Sequence, residues 1–153
     1  FVARRLLQFG DERSVRIAYC VPEHPRSGAV MTQSERGPHS INVRAGSKDV
    51  VVKLKSKAGK TALAFYVRSG ESATIDSVPE GQYRVMFATG KRYSRKCGVF
   101  LDDMEVRQDP NFASFKTTND SENVYTSIAE YRLVEQVAGN FRPEQAAISS
   151  FSD

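Results

Sequence analysis

Alternating hydrophobic and polar residues predict a series of β-strands from residue 48 onward. Residues 48–56 place Val50, Val52 and Leu54 on one face and Val51, Lys53 and Lys55 on the other, because side chains of a strand point alternately to its two faces. Residues 61–69 are rich in β-branched and aromatic residues and predict a strand that ends at Gly70, and residues 71–77 predict another short strand. Strands that follow one another about every 8–12 residues, with turns between them, are typical of an all-β sandwich.

The next turn has a clear sequence signal. In the sequence Val-Pro-Glu-Gly, Pro79 fixes its own φ and Gly81 readily adopts a positive φ, so the two predict a tight turn. The strand that follows, residues 82–89, again alternates. Its pattern places Tyr83 and Phe87 in the predicted core.

Both ends of the chain lack this regularity. Residues 14–20 predict one strand, and residues 21–40 have the Pro/Gly/Ser-rich composition of a linker. Residues 124–137 are dense in β-forming residues and predict a long final strand, with a helix as the alternative. The predicted organisation is an antiparallel β-sandwich at 41–137, preceded by an irregular basic segment at 1–40 and followed by a polar tail at 138–153.

Composition and charge refine this picture. The chain has 153 residues, 40% of them hydrophobic and 26% charged, which fits one globular domain. No apolar run reaches the roughly 18–20 residues of a membrane-spanning helix, so we expect no transmembrane segment in this chain. Residues 1–60 carry 12 Lys and Arg against 5 Asp and Glu, whereas residues 97–153 carry 4 against 10. The basic part would attract an anionic partner, unless the two parts fold together and neutralise each other.

A basic loop is predicted at residues 90–98. Clustered cations beside an aromatic ring can contact phosphates and stack a base. The alternative is a solvated loop whose charges keep a sheet edge from pairing with another chain. The candidate binding residues are Lys91, Arg92, Tyr93, Arg95 and Lys96.

We find no residue pattern for catalysis, a cofactor or a metal, and we predict that the protein is not an enzyme. Residues 88–91 (ATGK) lack the upstream glycine and the Ser or Thr of a phosphate-binding loop. Residues 99–112 are acidic but lack the order of a calcium-binding loop, so they predict a solvated acidic loop. His24 and His39 have no cysteine or carboxylate at a metal-ligand spacing.

The two cysteines leave two interpretations open. Neither belongs to a C-x-x-C motif, and two cysteines are too few for a disulfide framework. Cys20 and Cys97 either form a disulfide with each other or are two unrelated thiols.

The pattern over residues 41–153 resembles a small β-sandwich domain found in uncharacterised bacterial proteins. The resemblance lies in VVVKL, in FYVRSGESATIDSVPEGQYRVMFATGK, in the basic loop after it, and in a final strand that contains tyrosine. A more distant similarity, through the Pro-x-Gly-x-Tyr turn and strand, is to transthyretin-like and carboxypeptidase-regulatory sandwiches. The resemblance implies a sandwich fold, no catalytic residue and no assigned function. The residues that carry it are Gly70, Pro79, Gly81, Tyr83, Phe87, Gly90 and Lys91.

The sequence thus predicts a non-catalytic accessory or protein-interaction module whose partner is another protein. Strand addition at a sheet edge is the physical route we expect. The alternative is binding of an anionic ligand, such as nucleic acid, an acidic glycan or a lipid headgroup, through residues 91–96. Steep salt dependence would distinguish the second function from the first, because anion binding releases counterions.

Overall fold

The computed structural model describes residues 20–133 and 143–152. In these residues the chain is an all-β sandwich of mostly antiparallel strands, as predicted from the sequence. Apart from Cys20, the strand predicted at residues 14–20 lies outside the described residues.

Twelve strands and one short helix make up the described part of the chain. In chain order they are β1 (Val30–Gln33), β2 (His39–Arg44), β3 (Asp49–Lys55), β4 (Thr61–Val67), β5 (Ser72–Val78), β6 (Gly81–Ser94), β7 (Val99–Gln108), β8 (Ala113–Phe115), β9 (Thr118–Asn119), β10 (Val124–Tyr125), β11 (Ile128–Arg132), β12 (Glu144–Ala146) and α1 (Ile148–Phe151).

The strands form a large sheet, a small sheet and a separate hairpin. The large sheet has the order β1-β4-β3-β6-β7-β12, with β8 added to one end of β6. The small sheet has the order β11-β2-β5, and β9 pairs only with β10. β11 runs parallel to β2, whereas the other strand pairs are antiparallel.

The main core lies between the two sheets. The alternation in residues 48–56 and 82–89 aims one face of β3 and β6 at this core, where Tyr83 and Phe87 are buried. Gly81 has φ +141°, a conformation that other residues rarely adopt, so glycine suits the turn before β6. Large core side chains from the two sheets include Ile41, Val43, Val52, Leu54, Phe65 and Tyr131.

The opposite face of the large sheet is also buried, which alternation alone did not predict. Met86 is 2% exposed, and Lys53 and Lys55 are 9% and 5% exposed. The Lys53 ammonium donates to the Phe151 carbonyl at 2.9 Å, and that of Lys55 donates to the Ser150 carbonyl at 2.9 Å. Because α1 supplies these acceptors and buries the Phe151 ring, the C-terminal segment forms a second, smaller core on this face.

Three stretches predicted to be irregular contain strands. Residues 21–40 contain β1 and the start of β2. β1 pairs with β4, where Val30 lies opposite Phe65. The basic stretch 90–98 and the acidic stretch 99–112 form most of one long hairpin of β6 and β7. Pairing with a partner strand overrides the loop-like local composition in each case.

The prediction of one long final strand at residues 124–137 is wrong within the described residues. β10 and β11 are two short strands that lie in different sheets. The main-chain N–H and C=O groups of β10 pair with β9, whereas those of β11 pair with β2. The chain therefore changes direction between the two strands. Residues 134–137 lie outside the described part.

We expect Phe87→Ala to lower the free energy of unfolding by about 3–5 kcal/mol, because Phe87 is 1% exposed and its loss leaves a cavity between the sheets. The matched control is Val124→Ala, since Val124 is 69% exposed and its truncation should change stability by less than about 0.5 kcal/mol. Urea unfolding followed by circular dichroism measures both. Equal stability of the two variants would contradict the core assignment.

Candidate functional site

A recess of about 460 Å³ opens on the outer side of the large sheet. Its walls are formed by the segment after Cys20, by the turn that leads into β3, by the end of β4 and by β6 beyond Gly90. The sheet order brings the three strand-borne stretches together, since β3 lies between β4 and β6. Its size is that of a small-molecule site.

Asp49 is the polar centre of this recess. Its Oδ2 accepts a hydrogen bond from the Tyr66 hydroxyl at 2.5 Å and lies 2.9 Å from His24 Nε2, and its Oδ1 accepts the Ser69 N–H at 2.8 Å. Burial, and then the hydrogen bond to Asp49, raise the pKa of the Tyr66 hydroxyl well above its ordinary value, so Tyr66 stays a donor. Two donors and the nearby His24 imidazole therefore surround the carboxylate, which holds the His24 and Tyr66 rings in place.

An irregularity in β6 shapes the wall of the recess. The register between β6 and β7 shifts between Thr89 and Lys91. A Cβ on Gly90 would lie 2.6 Å from Phe100 Cβ, so only glycine fits there. Arg92 has φ +54°, a conformation that is uncommon outside glycine. Bulges of this kind redirect side chains, and both Lys91 and Arg92 line the recess.

The structure does not bring the five predicted binding residues together on one surface. Tyr93 is 5% exposed and packs against the Tyr66 and Phe100 rings, with centroids 5.5 and 5.1 Å away, so it cannot stack a base. Arg95 and Lys96 are exposed in the turn between β6 and β7, outside the recess. Three of the five predicted binding residues line the recess: Lys91, Arg92 and Tyr93.

Arg92 already has a carboxylate partner. Its Nε donates to Asp102 Oδ2 at 2.6 Å and its Nη2 donates to Asp102 Oδ1 at 3.3 Å. The hydrogen bond from Arg92 holds the pKa of the Asp102 carboxyl below its usual value. This exposed pair fixes the direction of the guanidinium and leaves Nη1 for another acceptor.

A disulfide between Cys20 and Cys97 ties one wall of the recess to the turn of the β6–β7 hairpin, with the two Cα atoms 5.6 Å apart. The same wall is held from the other side by Arg68. Its guanidinium donates to the carbonyls of His24 and Pro25 at 2.7 and 2.8 Å. Because Cys97 is bonded to Cys20, it presents no thiol as a nucleophile in this structure.

A second polar cluster surrounds His39 on the other side of the main core. His39 is 0% exposed, its Nε2 lies 2.7 Å from Glu80 Oε1, and its Nδ1 accepts the Ser127 N–H at 2.9 Å. The Thr117 hydroxyl also donates to Glu80 Oε1, at 2.8 Å. Since Nδ1 accepts the Ser127 N–H, Nε2 is the ring nitrogen that donates to Glu80. The ring is buried and both of its nitrogens are engaged, so the cluster fastens three loops together.

β11 leaves one edge of the small sheet open. The Ser127 carbonyl accepts from Ser40, and the Leu133 N–H donates to Arg44. In a parallel pair the bonding residues alternate, so the main-chain groups of the even-numbered residues point away from β2. Within the described part of the chain, no strand pairs with that side of β11. These outward-facing residues are Ile128, Glu130 and Arg132.

Sequence reasoning missed the recess because its parts are far apart in the chain. Asp49 lies in a stretch that the sequence predicts only as a strand, and His24 lies in the predicted linker at residues 21–40. No local motif joins them, since they are brought together by strand pairing and by the disulfide. The shift at Gly90 had one sequence signal, a glycine that interrupts an alternating strand.

Comparison with protein-family models, with curated proteins and with solved structures finds no match to this chain. Within residues 20–133 and 143–152, no helix has the length and apolar character needed to cross a membrane. The same residues contain no cluster of three or more side chains suited to hold a metal ion.

We expect His39→Ala to lower the free energy of unfolding by about 3 kcal/mol, because it leaves a cavity and strips the Ser127 N–H and Glu80 of a partner. Chemical denaturation at neutral pH measures this loss. Wild-type stability in the variant would show that the cluster does not fasten the loops.

Stability should also depend on the ionisation of Glu80. Hydrogen bonds from His39 and then Thr117 lower the pKa of its carboxyl below 4.5. The stabilisation is therefore present above about pH 4.5, the unfolded value, and is lost as pH falls through the lower folded value. Glu80→Gln keeps an acceptor but has no such titration. We expect its melting temperature to be lower than wild type at pH 7 and to converge with wild type towards pH 3; a constant difference would contradict this assignment.

Proposed function

We propose that this domain is a non-catalytic protein-interaction module and that an extended segment of a partner protein adds to the open edge of β11. The single observation that carries this proposal is the row of main-chain donors and acceptors at Ile128, Glu130 and Arg132 that no described strand occupies. A partner strand satisfies such groups by continuing the sheet.

Exposed apolar side chains at the start of β11 and just before it in the sequence support the same occupant. Ile128 and Val124 are each 69% exposed, and Tyr125 is 51% exposed. They lie within five residues of one another in sequence, at and just before the open strand. Exposed apolar groups next to unpaired main chain give a partner strand both hydrophobic contacts and hydrogen bonds. The charges of Glu130 and Arg132 would favour one register of the added strand.

The burial of Tyr93 favours this function over nucleic-acid binding by residues 91–96. Stacking of bases needs an exposed ring, and the ring of Tyr93 is enclosed by Tyr66 and Phe100. The remaining cations of that stretch lie partly in the recess and partly in the hairpin turn. A continuous phosphate-binding track would need them on one face.

We also propose kinship with the uncharacterised bacterial β-sandwich domains, and more distantly with transthyretin-like sandwiches. The support is the arrangement of the Pro-x-Gly-x-Tyr element. Gly81 adopts a positive φ in the turn, and Tyr83 enters the core with its hydroxyl donating to the Glu80 carbonyl at 2.9 Å. An accessory role follows from that kinship as part of the same proposal.

A proline at residue 130 tests the proposal. The Glu130 N–H points away from β2, so Glu130→Pro removes a donor that only the partner would use and is tolerated on an edge strand. Glu130→Ala is the matched control, because it loses the same charge and keeps the N–H. A photo-crosslinking amino acid at position 128 captures the partner from cell lysate, and binding of the captured protein is then titrated.

We expect Glu130→Pro to weaken that binding by about tenfold or more, and Glu130→Ala to change it by less than threefold, at unchanged melting temperature. Equal binding of the two variants would contradict strand addition at this edge. If crosslinks formed only to other copies of the domain, the β11 edge would mediate self-association and would not bind a different protein.

A further inference from the structure

The recess around Asp49 has the features of a binding site that is separate from the β11 edge. We propose that it binds a small organic anion, a molecule that carries a carboxylate or phosphate group on a ring-containing body. Its volume of about 460 Å³ holds a metabolite-sized molecule and is too small for a folded partner. The inference does not depend on the strand-addition function.

Cations at the rim select for negative charge. Lys48, Lys91 and Arg92 line the recess. In the described part of the chain, Lys48 and Lys91 take part in no salt bridge, and Arg92 retains Nη1 beside its contact with Asp102. Three cationic residues that line one concavity provide several donors for a carboxylate or phosphate.

The acidic residues of the recess do not cancel this preference. Asp49 is surrounded by the hydroxyl of Tyr66, the N–H of Ser69 and the ring of His24, so its oxygens are already occupied. Glu23 is exposed to solvent, as Lys91 and Arg92 are, so three lining cations face Glu23 as the one lining carboxylate that is not already held. The rim cations therefore dominate the interaction with a ligand that enters the recess.

Two aromatic side chains that line the recess, His24 and Tyr66, are the reason we expect the ligand to contain a ring. The His24 imidazole stands edge-on to the Tyr66 ring, with centroids 6.2 Å apart and planes at 83°. Asp49 uses the Tyr66 hydroxyl and His24 Nε2, so the ring carbons and His24 Nδ1 remain for a ligand. Flat apolar surface beside a few fixed polar groups is how small-molecule sites obtain both affinity and orientation.

The walls are fixed before any ligand arrives. The disulfide, the Arg68 contacts to two carbonyls and a hydrogen bond from the Glu23 N–H to the Tyr93 carbonyl at 2.7 Å hold one wall. The close contact at Gly90 fixes the other. A preformed site avoids the entropy loss of ordering loops around the ligand.

Titration of isotope-labelled protein with phenyl phosphate, benzoate and phenol, at constant ionic strength, tests the proposal by amide chemical shifts. We expect the two anions to shift the amide signals of residues 23–24, 47–49 and 90–93, and phenol, the neutral control, to bind at least about tenfold more weakly. Equal binding of phenol would overturn the selection for an anion. If inorganic phosphate bound as tightly as phenyl phosphate, the proposal that the ligand contains a ring would be wrong.

Lysine variants distinguish the recess from general attraction to the basic hairpin. We expect the double change Lys48→Gln and Lys91→Gln to weaken phenyl phosphate binding by about tenfold, because it removes both uncommitted rim cations. Lys96→Gln also removes a positive charge but lies in the hairpin turn, so it should change affinity by less than about twofold. If the double variant and Lys96→Gln lost similar affinity for phenyl phosphate, while both kept the wild-type amide spectrum elsewhere, the recess would not be the binding site.

Discussion

The burial of both faces of the central strands is the constraint on which this structure depends. β3 and β6 lie side by side in the large sheet, and each sends apolar side chains to both of its faces. A sheet with two apolar faces must be covered on both sides. The small sheet covers one face, and the C-terminal segment and the segment after Cys20 cover the other.

Two buried lysines show how the second cover is fastened. Lys53 and Lys55 point to the outer face, where an uncompensated ammonium would be costly. Carbonyl oxygens of residues 150–152 accept their hydrogen bonds, and the Phe151 ring lies 4.3 Å from Lys53 Nζ. The same side chains that look like solvent-facing charges in the sequence therefore bind the chain's own C-terminal segment. The recess lies near the margin of this outer layer, beside Tyr66 and Tyr93.

Sequence reasoning succeeded where the signal is local. Alternation placed Val50, Val52 and Phe87 in the main core, because a strand's two-residue period is set by its own backbone. It failed for Lys53, since burial there depends on a segment about a hundred residues away. It also failed for the meeting of His24 with Asp49, which requires strand order and a disulfide that composition cannot reveal. Parallel pairing of β11 with β2 was equally invisible, because no local pattern specifies a partner strand.

The open edge of β11 is the central claim, and amide hydrogen exchange in the free protein tests it most directly. The account predicts alternation along β11. The amides of Ala129 and Tyr131 are bonded to β2 and should exchange slowly, whereas those of Ile128, Glu130 and Arg132 should exchange at least about a hundredfold faster. Amides of β3, which is paired on both sides, serve as the slow reference in the same spectrum. Uniform protection along β11 would contradict the account, because it would mean that this edge is already covered.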